Sequence, residues 1–157
     1  KTSIASWLDR SDLTDIIPDF IALAETRHKR DFKIRRMETR VTANTISDTE
    51  YYLLPDDYVA MRNIKLNSDP KTSLEIAYYK TFTPLSDSNT TNDMLTHHPD
   101  VYLYGALVEA EPYLQNDKRI QVWSGYYDRA KEDIITSNER DRHSGTAPVT
   151  RIDYGLY

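Results

Sequence analysis

Residues 95–127 limit the possible folds more than any other part of this chain. From 101 to 108 the side chains are apolar or small on every side, so a helix formed here has no wet face and has to lie centrally. Pro99 suits its first turn, where the missing N–H costs least, and Asp100 complements the positive end of the dipole. Gly105, Ala106 and Ala110 let a neighbouring backbone come close. Gly105 costs roughly 1 kcal/mol of helix stability relative to Ala, which points to a helix crossing at that position. Pro112 ends or kinks the helix. Asn116 and Asp117 then offer a cap for a last helix, whose seam of Ile120, Trp123, Tyr127, Ala130 and Ile134 repeats in steps of three and four. Lys118, Arg129, Lys131, Asp133 and Glu139 occupy its other face. The two segments form a helix hairpin that closes a bundle.

Upstream, Ile4, Trp7 and Leu8 share one face of a short amphipathic piece, with Trp7 expected to dock on the core. Pro18 and Asp19 start a helix at about 18–35 by the same logic as Pro99 and Asp100, and Phe20 lies on its apolar stripe. The end of that helix is strongly basic: Arg27, Lys29, Arg30, Lys33, Arg35 and Arg36, with Arg40 just beyond. Residues 40–46 and 51–54 are rich in β-branched and aromatic side chains and flank a polar turn, which reads as a hairpin. Residues 58–66 fit a strand or a short helix, 67–72 a loop, and 74–79 another strand. Residues 81–96 form a polar connector expected to be exposed and mobile.

A chain of 157 residues is most simply one domain. Its net charge of −5 argues against a general binder of nucleic acid or anionic membranes. No apolar run approaches the roughly 18 residues that cross a bilayer, and no basic-plus-apolar leader is visible. The chain opens on Lys1 rather than Met, which fits trimming, processing or disorder alike. With no Cys, disulfides and thiolate chemistry are excluded, which fits a reducing compartment. Twelve Tyr against three Phe suit surfaces that become interfaces.

Catalytic signatures are missing. His97 and His98 are adjacent and lack a third ligand at metal spacing, so a capping or polar interface role outweighs metal binding. No Gly-rich phosphate loop and no nucleophile elbow occurs. The chain is therefore read as a non-enzyme that needs no cofactor. The basic cluster at 27–40 has three readings. It can be a solvated helix end that complements its dipole, an interface meeting an acidic face on another copy, or a passing contact with nucleic acid. In an acidic protein the second ranks above the third. The final segment 145–157 carries Val149, Ile152, Tyr154, Leu156 and Tyr157, an apolar load that fits a strand or groove ligand of a partner better than a wet tail.

The order of motifs resembles the head–tail adaptor (connector) proteins of tailed phages. The match runs through Ile17-Pro18-Asp19-Phe20-Ile21-Ala22, Met37-Glu38-Thr39-Arg40, Tyr52-Leu53-Leu54-Pro55-Asp56-Asp57-Tyr58 and Met61-Arg62. It continues through His98-Pro99-Asp100, Tyr102-Leu103-Tyr104-Gly105-Ala106-Leu107, Pro112-Tyr113-Leu114 and Asp117, with Trp123 and Tyr127 beyond. It covers most of residues 13–140. The resemblance implies a virion protein, assembled in the host cytoplasm, that sits under the portal as a ring. That ring, twelvefold in such connectors, bridges capsid to tail. Implied partners are the portal, neighbouring copies and a downstream tail or nozzle protein, with DNA met only in passing through the channel and no membrane. Extended tails in such connectors reach the portal or adjacent subunits, which gives Val149, Arg151, Ile152, Tyr154, Leu156 and Tyr157 a partner-binding role. The resemblance expects more chain between 71–75 and the strand after it, whereas here the two run together at Leu74-Glu75-Ile76.

The expected architecture is mainly α: a bundle of about four helices with a small β-hairpin or sheet around 40–80, filling residues 1–144, and an extended arm at 145–157. Phe20, Tyr104, Leu107, Trp123 and Tyr127 are the expected core, and Arg27, Lys29, Arg30, Lys33, Arg35, Arg36 and Arg40 the expected inter-subunit surface. The rival reading is a small helical DNA-binding or regulatory protein using the same cluster.

Overall fold

The computed structural model describes residues 1–66, 73–115 and 117–143. Among these residues two α-helices, three strands and three further α-helices follow one another: α1 (Thr2–Leu8), α2 (Ile17–Asp31), β1 (Glu38–Asn44), β2 (Tyr58–Leu66), β3 (Ser73–Lys80), α3 (Asp93–His97), α4 (Pro99–Leu114) and α5 (Asp117–His143). Helix α4 lies at the centre, with Val101, Ala106, Leu107 and Ala110 wholly buried. Helices α1, α2, α3 and α5 all pack against it. A Cβ on Gly105 would stand 3.0 Å from His28 Nε2, 3.2 Å from Ala24 Cβ and 3.4 Å from Tyr127 Cε2, so α2 and α5 both close on α4 there. Of the expected core residues, Phe20, Leu107, Trp123 and Tyr127 are buried and Tyr104 is half-buried. Trp7 is 45% exposed, while Ile4 and Leu8 dock beneath it. Its indole sits edge-on to Trp123 and Tyr104 at the rim of the core. Asn116 and the Asp117 side chain, read above as a cap for α5, lie outside the described residues, as do 67–72 and the arm at 145–157.

The expectation of a mainly helical bundle does not hold. The chain is 53% helix and 18% strand, a mixed α/β fold with a three-stranded antiparallel sheet. The expected hairpin of 40–46 with 51–54 is absent as well. β1 pairs instead with β3, the sheet order is β1-β3-β2, and residues 51–55 form no strand. Short apolar runs fix strand propensity but not partners, and β3 offered a longer, unbroken ladder of seven pairs, Glu38↔Tyr79 to Asn44↔Ser73.

The helix read at 18–35 ends at Asp31, where Phe32 turns extended. Phe32 and Ile34 are both buried with Lys33 exposed between them, a period-two pattern that a helix could not satisfy. The connector is pinned rather than loose. Leu85 N donates to Glu25 Oε1 at 2.9 Å, Asn92 Nδ2 donates to the Thr83 carbonyl at 2.9 Å, and Phe82 and Met94 are buried.

Candidate interaction surfaces

The basic cluster divides in two once side chains are placed. Arg27 Nε donates to Glu109 Oε1 at 2.9 Å while its guanidinium lies 5.7 Å from the Tyr127 ring centroid. Arg35 donates its backbone N–H to Asn138 Oδ1 at 2.7 Å and its Nη1 to the Asp141 carbonyl at 3.3 Å. Arg36 faces Asp93 and Arg40 faces Glu75, each at 3.6 Å. These four arginines brace the chain against itself. Lys29, Arg30 and Lys33 have no ion-pair or hydrogen-bond partner among the described residues. Arg30 and Lys33 are exposed, so they are the cations of the cluster open to another molecule.

Beside them, a cleft of about 420 Å³ brings Arg35 and Arg36 together with His97, His98, Ser137 and Asn138. The structure thus joins the basic cluster to the histidine pair, which lie about sixty residues apart in sequence. His97 Nδ1 is 2.8 Å from the Asp93 carbonyl, closing the single turn of α3. His98 is the N-cap residue of α4 without a side-chain cap bond, and burial lowers its pKa from the usual 6.5. Cations and amides in an open cleft can hold an acidic side chain or a phosphate. Among the described residues no three His, Asp or Glu side chains gather in metal-binding positions.

Three buried polar groups escaped the sequence reading. Glu25 Oε1 also accepts the Tyr102 hydroxyl at 3.0 Å, and that hydroxyl accepts Asn92 Nδ2 at 2.6 Å. Glu111 Oε1 accepts Trp123 Nε1 at 2.8 Å. His28 is wholly buried among Phe32, Phe82, Tyr102 and Tyr127, stacked on the last at 5.9 Å. Burial pushes its pKa down to about 4, so it is neutral at physiological pH. The one advance signal for these groups was their place on the apolar stripe of α2 or the all-apolar helix α4.

The sheet is two-faced. Residues opposed in an antiparallel pair share a face. One face carries the rows Thr39–Tyr78–Met61, Val41–Ile76–Ile64 and Ala43–Leu74–Leu66. The other carries Glu38–Tyr79–Ala60, Arg40–Ala77–Asn63 and Thr42–Glu75–Lys65. Ion pairs lace the second face: Lys65 Nζ lies 3.2 Å from Glu75 Oε1, and both Arg62 and Arg142 reach Glu38. The apolar face is largely uncovered, with Val41, Met61, Ile64 and Leu66 all exposed. The loop after β1 crosses it, placing Tyr52, Leu53 and Pro55 opposite Val41, Ala43, Leu74 and Ile76 across a groove. Ile46 and Tyr51 are exposed and Leu53 is fully so. Contiguous apolar surface of this kind marks a contact site. Ile46, Tyr51 and Leu53 fell where hairpin strands were expected, which is why sequence reasoning did not read them as an exposed loop.

Among the described residues no helix is long and apolar enough to cross a membrane. Compared with known families, the chain matches the SU10 adaptor protein family over residues 1–73 and 67–151. The two matched segments overlap at 67–73. No curated protein matches it.

Proposed function

The chain belongs to the SU10 adaptor protein family, a family of phage adaptor proteins, and from that premise we propose that it forms a ring beneath the portal and bridges capsid to tail. The observation that carries this reading is the division of the molecule into a closed helical core and an uncovered apolar sheet face. A ring subunit needs two different, complementary flanks, since a head-to-tail interface repeats one contact around the circle. The exposed Arg30 and Lys33 supply a basic flank, and the protein's net charge of −5 supplies acidic surface elsewhere. The arm at 145–157 binds the portal in this reading, through Val149, Arg151, Ile152, Tyr154, Leu156 and Tyr157, and a downstream tail protein meets the ring's far side. Twelve copies would match the portal's own symmetry. The DNA-binding reading loses support because Arg27, Arg36 and Arg40 are engaged with carboxylates of the same chain.

Mixing the protein with the portal of its own phage and measuring the mass of the complex tests the proposal. A portal carrying a full ring is the expected product. A protein that stays apart from the portal at micromolar concentrations overturns it. Retention on duplex DNA at physiological salt, falling steeply as salt rises, would favour the rival.

A further inference from the structure

The loop over the sheet and the outer stripe of α2 carry opposite charge. Between Thr45 and Asp57 the chain has four carboxylates and no cation. Asp57 accepts the Tyr78 hydroxyl at 2.8 Å. The side chains of Asp48, Glu50 and Asp56 are exposed and have no ion-pair or hydrogen-bond partner among the described residues. On α2, Leu23, Thr26 and Arg30 follow in steps of three and four along the exposed side, away from the buried Phe20, Ala24 and His28, and Lys33 continues beyond the helix end. The carboxylates near that stripe are already engaged. Glu25 is buried with the Leu85 N–H and the Tyr102 hydroxyl, and Asp31 is held by Lys131 and the Tyr127 hydroxyl. The stripe therefore presents one aliphatic side chain followed by two cations.

One chain does not bring these two patches together. Arg30 and Lys33 precede β1 while Asp48 and Glu50 follow it, so the strand's length, about 20 Å, lies between them. Among the described residues no ion pair joins them. Each patch also has an apolar neighbour. Leu53 stands fully exposed beside the groove that Val41, Leu74 and Ile76 line, so apolar surface adjoins the acidic loop as Leu23 adjoins the cations.

We infer that this groove receives the outer stripe of α2 from a second copy of the chain. Leu23 of the second copy enters between Leu53 and Ile76, and its Arg30 and Lys33 meet Asp48 and Glu50 on the loop. Helices dock into apolar grooves in this manner, the apolar side chain supplying affinity and the flanking charges setting direction. The contact joins two different patches, so every copy keeps one of each to offer, and a row of copies satisfies all of them only by closing into a ring. The inference rests on the ring reading above and names the two surfaces that carry it.

Charge reversal in the full chain, read by loading onto the portal, tests the contact. One variant carries Arg30→Glu with Lys33→Glu. The other carries Asp48→Asn with Glu50→Lys, Asn being chosen because φ at position 48 is 62°, a left-handed conformation that Asn tolerates and Lys does not favour. Each variant alone should load at least tenfold less well than the natural chain, and the chain carrying all four substitutions should recover. Natural loading by either two-site variant, or no recovery in the four-site chain, overturns the inference and leaves the ring reading standing. A natural chain that never loads overturns the ring reading, and the inference with it. All four sites are exposed, so unchanged urea midpoints separate a lost contact from a lost fold. A second measurement alters no charge, since the natural chain has no cysteine. Chains carrying Leu23→Cys and chains carrying Leu53→Cys are mixed, loaded on the portal and treated with a short bismaleimide. A two-chain product from the mixture, missing when either kind is loaded alone, is expected. No product, or equal product from one kind alone, overturns the inference.

Discussion

Helix α4 and strand β2 are both rich in large apolar residues, yet the fold hides one and displays the other. In α4, Val101 and Leu107 are wholly buried, and Glu111, its one deeply buried carboxylate, bonds Trp123. In β2, Met61, Ile64 and Leu66 are each between 44% and 58% exposed. The difference is one of role. Between Val101 and Ala110 helix α4 has completed its packing within one chain, while the sheet is anchored at one end, through Tyr79 and the Arg142 contacts, and keeps its apolar face open. A protein working alone gains nothing from that openness, whereas one that joins an assembly does.

The sharpest way to break this comparison is one substitution made twice. Leu107→Ala removes a wholly buried side chain at the crossing of the helices and should destabilise the fold by about 3–5 kcal/mol. Leu53→Ala, at a fully exposed site, should change stability by no more than about 0.5 kcal/mol. Urea denaturation of both variants decides it. Similar losses at the two sites would mean that the loop over the sheet is part of the core after all.

Acid should find the helical part first. His28 titrates near 4 when folded and near 6.5 when unfolded, so between those values the unfolded chain binds more protons. Its contribution is complete above pH 6.5 and is lost as pH falls towards 4. With 1.36 kcal/mol per pKa unit, the loss approaches about 3 kcal/mol at pH 4. His28→Leu should flatten the stability profile between pH 6.5 and 4 relative to the natural protein. An unchanged slope would show that His28 is not the group responsible.

The helical part was also the legible part. Helix α4 announces itself through Pro99 and an apolar run with no polar face, though it continues past Pro112 to Leu114, and the seam of α5 announces itself through its three-four spacing. Both signals are local, so no knowledge of distant partners is needed. Gly105 was readable as a crossing because it sits inside an apolar run with small neighbours, Ala106 and Ala110; a helical glycine alone is no such sign, since a Cβ on Gly125 in α5 would meet nothing within 4 Å. The sheet was different. β1 and β3 could be placed within a residue or two, and 58–66 was bounded but left open between strand and short helix; pairing depends on partners thirty residues away, and 51–54 looked like the nearer mate for β1. The basic cluster was visible as charge, but its division into braced and free cations was not. Glu109, Glu75 and Asp93 are brought to Arg27, Arg40 and Arg36 only by the tertiary fold.

A smaller effect is expected from the hydrogen bonds that tie the connector to the helices. Tyr102→Phe keeps the ring beside His28 but removes the hydroxyl shared by Glu25 and Asn92. The loss should be about 1–2 kcal/mol, since Glu25 retains the Leu85 N–H as a partner. It should be accompanied by faster hydrogen exchange in residues 83–95. A loss confined to global stability, with the connector's exchange unchanged, would show that the connector is held by Phe82 and Met94 instead.

The smallest effect belongs to the ion pairs on the sheet. Arg40 and Lys65 flank Glu75 from the two neighbouring strands, but their side chains are 73% and 52% exposed. Exposed pairs of this kind contribute between nothing and about 1 kcal/mol, because water already solvates both charges and ordering long side chains costs entropy. Arg40→Ala combined with Lys65→Ala should therefore lower stability by less than about 1 kcal/mol in urea denaturation, and the loss should shrink further at 0.5 M salt. If the pair costs more than about 2 kcal/mol, Glu75 is a buried charge in need of both partners, and the sheet is as tightly built as α4. If the loss is small, these charges set the register of strands rather than their stability. The sheet's hold on the molecule then rests on Tyr79 and Arg142 at its anchored end, leaving the far end of β1 and β2 free to adjust to whatever binds there.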